Sequence, residues 1–178
     1  MLALHTISLV AAEVRLQLSP RLAVTDRLTF ERLRAGVALT GLGPELFTVA
    51  RGHAGLSLTT YASSECDVVL GEAWVWLNRE AWPEFVAGDV PRSIATVAHE
   101  LGHVALHAEE VDGLEDTDAE TDHDRRMDRE AWTFAAHLLI PDQALHRLSR
   151  LRADELGKRF GVSAMMAGKR MEEFKNSR

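Results

Sequence analysis

His99-Glu100-Leu101-Gly102-His103-Val104-Ala105-Leu106-His107 is the stretch on which the reading of this chain turns. Two histidines four residues apart on a helix lie one above the other, so both imidazoles can reach a single metal ion. Glu100, next to the first of them, is placed to touch a water on such an ion and to take its proton during attack on a carbonyl. The flanks agree with a helix. Ile94, Ala95, Val97 and Ala98 run into the motif, and Leu101, Val104, Ala105 and Leu106 continue its apolar side. Pro91-Arg92-Ser93 reads as the helix start, with an end near His107 or Ala108. Histidines on an apolar helix need polar partners, and a metal supplies one. His107 would crowd the position that catalysis must keep open, so it reads as a neighbour of the ligand set.

A third ligand is expected from the next helix, read from about Arg126 to Pro141, where Ala131, Phe134, Ala135, Leu138 and Leu139 recur at helical spacing. At about 100° per residue, Asp128 projects with Ala131, Ala135 and Leu139, and Glu130 with Thr133 and His137 to the other side. This phase turns Asp128 towards the core, where a carboxylate needs a cation, and selects it as the ligand. A small change of register would give that place to Glu130 and leave Asp128 to pair with an arginine or cap the helix. Two histidines and a carboxylate favour Zn2+, with Mn2+ or iron as other occupants.

A chain of 178 residues has room for one domain with a real core and a C-terminal appendage. Its 46% hydrophobic and 26% charged residues are ordinary for a soluble globular protein, and no apolar run is long enough to span a bilayer. The single cysteine, Cys66, fits a reducing, cytoplasmic setting and reads as structural. The net charge of -7 is local: nine carboxylates lie between Glu109 and Asp124 with no Lys or Arg among them, and the remainder of the chain nets about +2. That acidic stretch reads as a solvated loop, lacking the ligand order of a calcium-binding loop. From His146 onward nine Lys or Arg face four acids, too mild a bias to support direct nucleic-acid binding.

The fold class expected is α+β: a helical domain with a small antiparallel three-stranded sheet beside the His-Glu-x-x-His helix, plus a C-terminal helix-turn-helix-like segment. Residues 3 to 18 read as a helix, Thr25-Asp26 as the cap of a second running towards Gly41, and Pro44 to Arg51 as a short third. The strands are read at Leu56 to Tyr61, Asp67 to Leu70 and Ala73 to Asn78. The last puts Trp74 and Trp76 on one face and Ala73, Val75 and Leu77 on the other; the tryptophans either line a peptide cleft or pack the sheet on a helix. Residues 1–145 are expected to form the metallopeptidase domain and residues 146–178 the C-terminal segment. In that segment Leu156 to Ser163 reads as helix, turn and N-cap, and Met165, Met166 and Met171 suit packing or a peptide surface better than base edges.

Arg92-x-x-x-Thr96-x-Ala98-His99-Glu100-Leu101-Gly102-His103, followed by Asp128-x-x-Ala131-x-x-Phe134-Ala135-x-x-Leu138-Leu139-Ile140-Pro141, resembles the ImmA/IrrE family of metallo-endopeptidases, which are zincins. Leu156-x-x-Arg159-Phe160-Gly161-Val162-Ser163 and Arg170-Met171 resemble that family's closing segment, so the likeness spans roughly residues 70 to 172. Two positions depart from it: Asp128 stands where glutamate is usual, and Trp132 where asparagine is common. A shorter carboxylate requires its helix to approach by about one methylene. The first 55 residues match nothing in the family. The resemblance implies a cytoplasmic zinc endopeptidase that cuts a helix-turn-helix repressor in a stress or mobile-element response. His99, His103 and Asp128 would then hold the metal and Glu100 would act as general base. The rival is a non-proteolytic, metal-stabilised regulatory protein that binds a repressor or DNA. Oligomeric state has no signal in the sequence.

Overall fold

The computed structural model describes residues 1–18, 20–34, 37–38, 46–51, 61–67, 72–78, 80–87, 90–111 and 121–177. Its centre is the packing of α4 (Pro91–Val111) against α5 (Asp122–Leu139). Helix α4 buries Ile94, Val97, Ala98, Leu101 and Val104, and α5 buries Ala131, Phe134, Ala135 and Leu138. Each large apolar side chain removed from water there contributes about 1.5–3 kcal/mol. The helices meet without a side chain between them at Gly102, where a Cβ would lie 2.9 Å from the Ala131 carbonyl oxygen and 3.0 Å from Phe134 Cδ1. Helix α4 outruns its expected end, but the backbone leaves helical geometry at His107 (φ -134°, ψ 21°), where the reading closed it. Helix α5 starts earlier than Arg126: Thr121 and Asp124 form a reciprocal capping box. The acidic stretch is therefore helical at both margins, and residues 112–120 lie outside the described set.

Helix α1 (Leu4–Leu18), as expected, covers another side of α5, burying Ile7, Ala11, Val14 and Leu18. From it the buried Arg15 donates to the Leu138 carbonyl at 2.8 Å and to that of Asp26 at 2.6 Å. The first of these belongs to the last turn of α5, which has no helical donor of its own. Burial lowers the Arg15 pKa to about 10, against the pull of Asp26, so the group is charged at neutral pH.

The helix expected to run towards Gly41 is only α2 (Phe30–Arg34), and the chain turns to strand at β1 (Val37–Ala38). The helix expected from Pro44 is instead strand β2 (Leu46–Arg51). Phe47, Thr48 and Val49 suit a pleated surface, and pairing on both sides overrides the local helical signal. With β3 (Ala62–Asp67) and β4 (Glu72–Leu77), these form a four-stranded mixed sheet of order β1-β2-β4-β3. The three-stranded antiparallel sheet is thus corrected: β3 and β4 are antiparallel, but β4 runs parallel to β2. The strand expected at Leu56–Tyr61 lies almost wholly outside the described residues, and that at Asp67–Leu70 coincides with them only at Asp67, the end of β3. Along β4, Ala73, Val75 and Leu77 are buried and Trp74 and Trp76 half-buried, the alternation that was expected. Because β4 is flanked on both sides, the edges of the sheet among the described strands are β1 and β3.

After α3 (Trp82–Ala87), α4 and α5 the chain closes with α6 (Asp142–Arg147), α7 (Ala153–Phe160) and α8 (Ala164–Asn176). Gly161 turns the chain between the last two in a left-handed conformation (φ 69°), which glycine adopts without steric cost, and Ser163 Oγ accepts from the Met166 N–H at 3.1 Å to cap α8. Leu156, Phe160, Val162 and Ala167 join the same buried cluster as α1, α4 and α5. The buried Arg170 pairs with Asp142, which also accepts from Ser8 of α1 at 3.1 Å.

Candidate metal centre

The helical spacing brings the His99 and His103 rings to 4.7 Å between centroids, nearly perpendicular. Asp128 Oδ1 lies 3.0 Å from His99 Nε2. One ligand atom from each of His99, His103 and Asp128 falls within 4.8 Å of the others, the group that can hold a metal ion among the described residues. Ligands at about 2.1 Å around a tetrahedral ion are about 3.4 Å apart, so this set fits a divalent cation after small side-chain rotations. The contact of Gly102 with Ala131 brings Asp128, one turn earlier on α5, close enough for a carboxylate one methylene shorter than glutamate to reach His99. Burial, reinforced by the adjacent His99, lowers the His103 pKa to about 4 against the pull of Glu100 and Asp128. The imidazole is neutral at pH 7 and keeps a lone pair for a cation.

Glu100 is buried beside this group, with Oε1 3.4 Å from His99 Nδ1 and Oε2 accepting from Ser64 Oγ at 3.1 Å. Ser64 belongs to β3, so one of the two described edge strands touches the carboxylate next to the metal group.

Residues 88–172, just under half the chain, match the family model of the IrrE N-terminal-like domain, a peptidase family. Over these residues the chain is similar to the IrrE N-terminal-like family. The match runs from just before α4 into α8, and so contains His99, Glu100, His103 and Asp128, whereas α1 and the sheet lie outside it. The structure resembles that of a Mycobacterium tuberculosis transcriptional regulator, with a TM-score of 0.55 at 17% identity, a likeness of fold. The alignment covers 93% of this chain and 46% of the regulator, so this chain spans about half its length. A search of curated proteins returns no match.

Within the matched region, Asp128 does not face the core as its helical phase predicts. Its side chain is half exposed at the metal group, whereas Glu130 is 2% exposed. Glu130 Oε1 accepts from the Leu2 N–H at 2.7 Å and Oε2 lies 3.5 Å from His107 Nε2, so Glu130 stands apart from the metal group. The reason is that α5 is covered on two sides, and the side away from Ala131 is closed by α1 and the residues before it. His107 is buried as well, its ring 5.9 Å from that of His103. Tyr61 also stays outside the group. Its hydroxyl bonds to Glu84 and shares a hydrogen bond with Ser93, and burial pushes its pKa up.

Two residues at the site carried no role in the sequence reading. Trp132 stacks on His99 (4.3 Å between ring centroids, 24° between planes) while 40% exposed. Its position one turn beyond Asp128 was the available signal. Ser64 had none, because its place at Glu100 depends on how β3 sits against α4.

Proposed function

We propose that this protein is a metal-dependent endopeptidase with one ion, Zn2+ or alternatively Mn2+, held by His99, His103 and Asp128. The observation that carries this reading is the convergence of those three ligand atoms within 4.8 Å beside the Glu100 carboxylate. A bound ion would supply Lewis acidity towards a water and a scissile carbonyl. Glu100 takes the water's proton and passes it to the leaving amine, while Ser64 holds one carboxylate oxygen and limits its rotation. Strand β3, paired on one side with β4 and on the other with no described strand, is the edge along which an extended peptide would add.

The substrate in this reading is a helix-turn-helix repressor of a stress or mobile-element response, cut in the cytoplasm. The domain match supports the peptidase half. That the structural neighbour is a transcriptional regulator suits a substrate from transcription control. Residues 1–145 would carry the chemistry and the helix-turn-helix-like residues 146–178 would contact the substrate. Arg170 is only 1% exposed and committed to Asp142, which leaves Lys169 as the basic residue of α8's middle turn for any base edge and favours protein over DNA as the ligand. The alternative, a metal-stabilised regulator that binds a repressor without cutting it, predicts a different outcome in the same experiment. Purified, Zn2+-loaded protein is incubated with the repressor encoded beside it and read by intact mass, with Glu100→Gln as control. Discrete fragments from the wild type alone support the peptidase. An intact repressor that still binds leaves the regulator.

A further inference from the structure

A cavity of about 640 Å³ opens between the first turns of α4, the middle of α5 and the start of α8. Its walls are apolar: Ala95, Trp132, Ala136, Met165 and Met166. Trp132 is common to the cavity and the metal group, since the ring that lines the one is stacked on His99 of the other. Arg129 follows Asp128 directly, and Arg92 and Ala95 precede His99 by two turns and one on α4. The cavity therefore adjoins the proposed catalytic centre across the Trp132 ring.

Two properties say what would occupy it. Trp132 and Met165 are 40% and 72% exposed, among the few large apolar residues that the described surface leaves open, and methionine adapts to varied apolar partners. The rim is cationic. Arg129 and Lys169 are exposed and make no ion pair with any described residue, and Arg92 lies over the Tyr61 ring. The one carboxylate of the lining, Glu173, is engaged by Arg170 and His137. A phosphate backbone would meet these cations but gain nothing from the tryptophan and methionines. An apolar peptide without acids would leave the cations unmatched.

We propose that this groove is a recognition site for a peptide segment in which apolar side chains alternate with carboxylates. Such a segment lies next to the bond that is cut, with Trp132 as the wall shared by groove and metal site. The inference rests on the peptidase reading and names the chemistry of its substrate.

Binding is tested without catalysis. Full-length Zn2+-loaded Glu100→Gln protein is titrated against two fluorescein-labelled twelve-residue peptides and read by anisotropy. One alternates Leu and Met with Glu and Ser; the other has Lys in place of Glu. The acidic peptide is expected to bind at least about tenfold more tightly, a difference typical of charge complementarity at an interface. Arg129→Glu with Lys169→Glu reverses that preference, and Met165→Ser, at an exposed position that folding does not need, weakens both peptides severalfold. Equal affinities, a preference that survives the charge reversal, or tighter binding of a twenty-base-pair DNA duplex overturns the proposal. Repressor cleavage by the wild type that the charge reversal leaves unchanged would overturn the groove while the peptidase reading stands. Charge-dependent peptide binding by a wild-type protein that cuts nothing would leave the groove and remove the peptidase.

Discussion

Asp128 and Glu130 stand two residues apart on α5 and meet opposite surroundings. Asp128 is half exposed and reaches across to His99; Glu130 is closed off by the N-terminal residues and His107. A helix separates residues two apart by about 200°, so the two carboxylates had to point to different sides. What each side faces is a property of the neighbours. The α4 side leaves a cleft in which a carboxylate can meet two histidines, whereas the α1 side is sealed and a carboxylate there must be satisfied by donors of the fold. The first arrangement suits an ion and the second suits stability.

The sharpest way to break this contrast is to remove each carboxylate in turn. Asp128→Ala is expected to lower Zn2+ affinity by at least about 100-fold, more than the loss of a supporting outer residue, in a calorimetric titration with little change in the unfolding midpoint. Glu130→Ala should do the reverse. It leaves the Leu2 N–H without its buried acceptor, removes the carboxylate that lies 3.5 Å from His107 Nε2, and costs about 3 kcal/mol in urea unfolding, while Zn2+ affinity is retained. If Glu130→Ala abolishes Zn2+ binding in a protein that is still folded, the assignment of the two faces is wrong.

A subtler probe acts on one face only. In Gly102→Ala the new Cβ would meet the Ala131 carbonyl at 2.9 Å, so α4 and α5 must separate. Overpacking of this kind costs about 2 kcal/mol, and the shift should weaken Zn2+ binding as Asp128 is drawn away from His99. A loss of stability with unchanged Zn2+ affinity would show that the helix spacing does not set the reach of Asp128.

The smallest effect concerns a third carboxylate of the structural kind. Burial raises the Asp142 pKa, but the hydrogen bond and charge of Arg170, the charge of His137 and the Ser8 hydroxyl outweigh it, so the net shift is downward from 3.8. A folded-state pKa below the unfolded value means stability that is present above pH 3.8 and is lost as pH falls through the folded value. The Asp142 side chain is 44% exposed, so solvent screens the pairing, and Asp142→Asn should cost only about 1 kcal/mol at pH 7, with Glu173 still beside Arg170, the two stability curves converging in acid. A gap that persists in strong acid would mean that the pairing with Arg170 is not its cause.

The legible parts of this protein share one property, that they are governed by spacing within a single element. His99, Glu100 and His103 are arranged by one helical turn, Ala73, Val75 and Leu77 by the strand repeat, and Gly161 and Ser163 by the needs of a turn and a cap. The misreadings arose where a distant segment decides. Leu46–Arg51 can begin a helix in isolation and is a strand because β1 and β4 flank it. Thr121 and Asp124, submerged in an acidic stretch, were read as loop although their spacing is that of a capping box.

From sequence alone came the metal-binding pattern, the neighbouring general-base candidate and the choice of Asp128 over Glu130, although the argument for that choice put the wrong residue in the core. The tertiary structure alone decided the strand order, the touch of Ser64 on Glu100, the stack of Trp132 on His99 and the burial of Glu130. The division has a physical cause. The backbone geometry of a helix or strand sets distances over a few residues whatever surrounds it, whereas burial and cross-element contact depend on which surfaces the whole chain brings together.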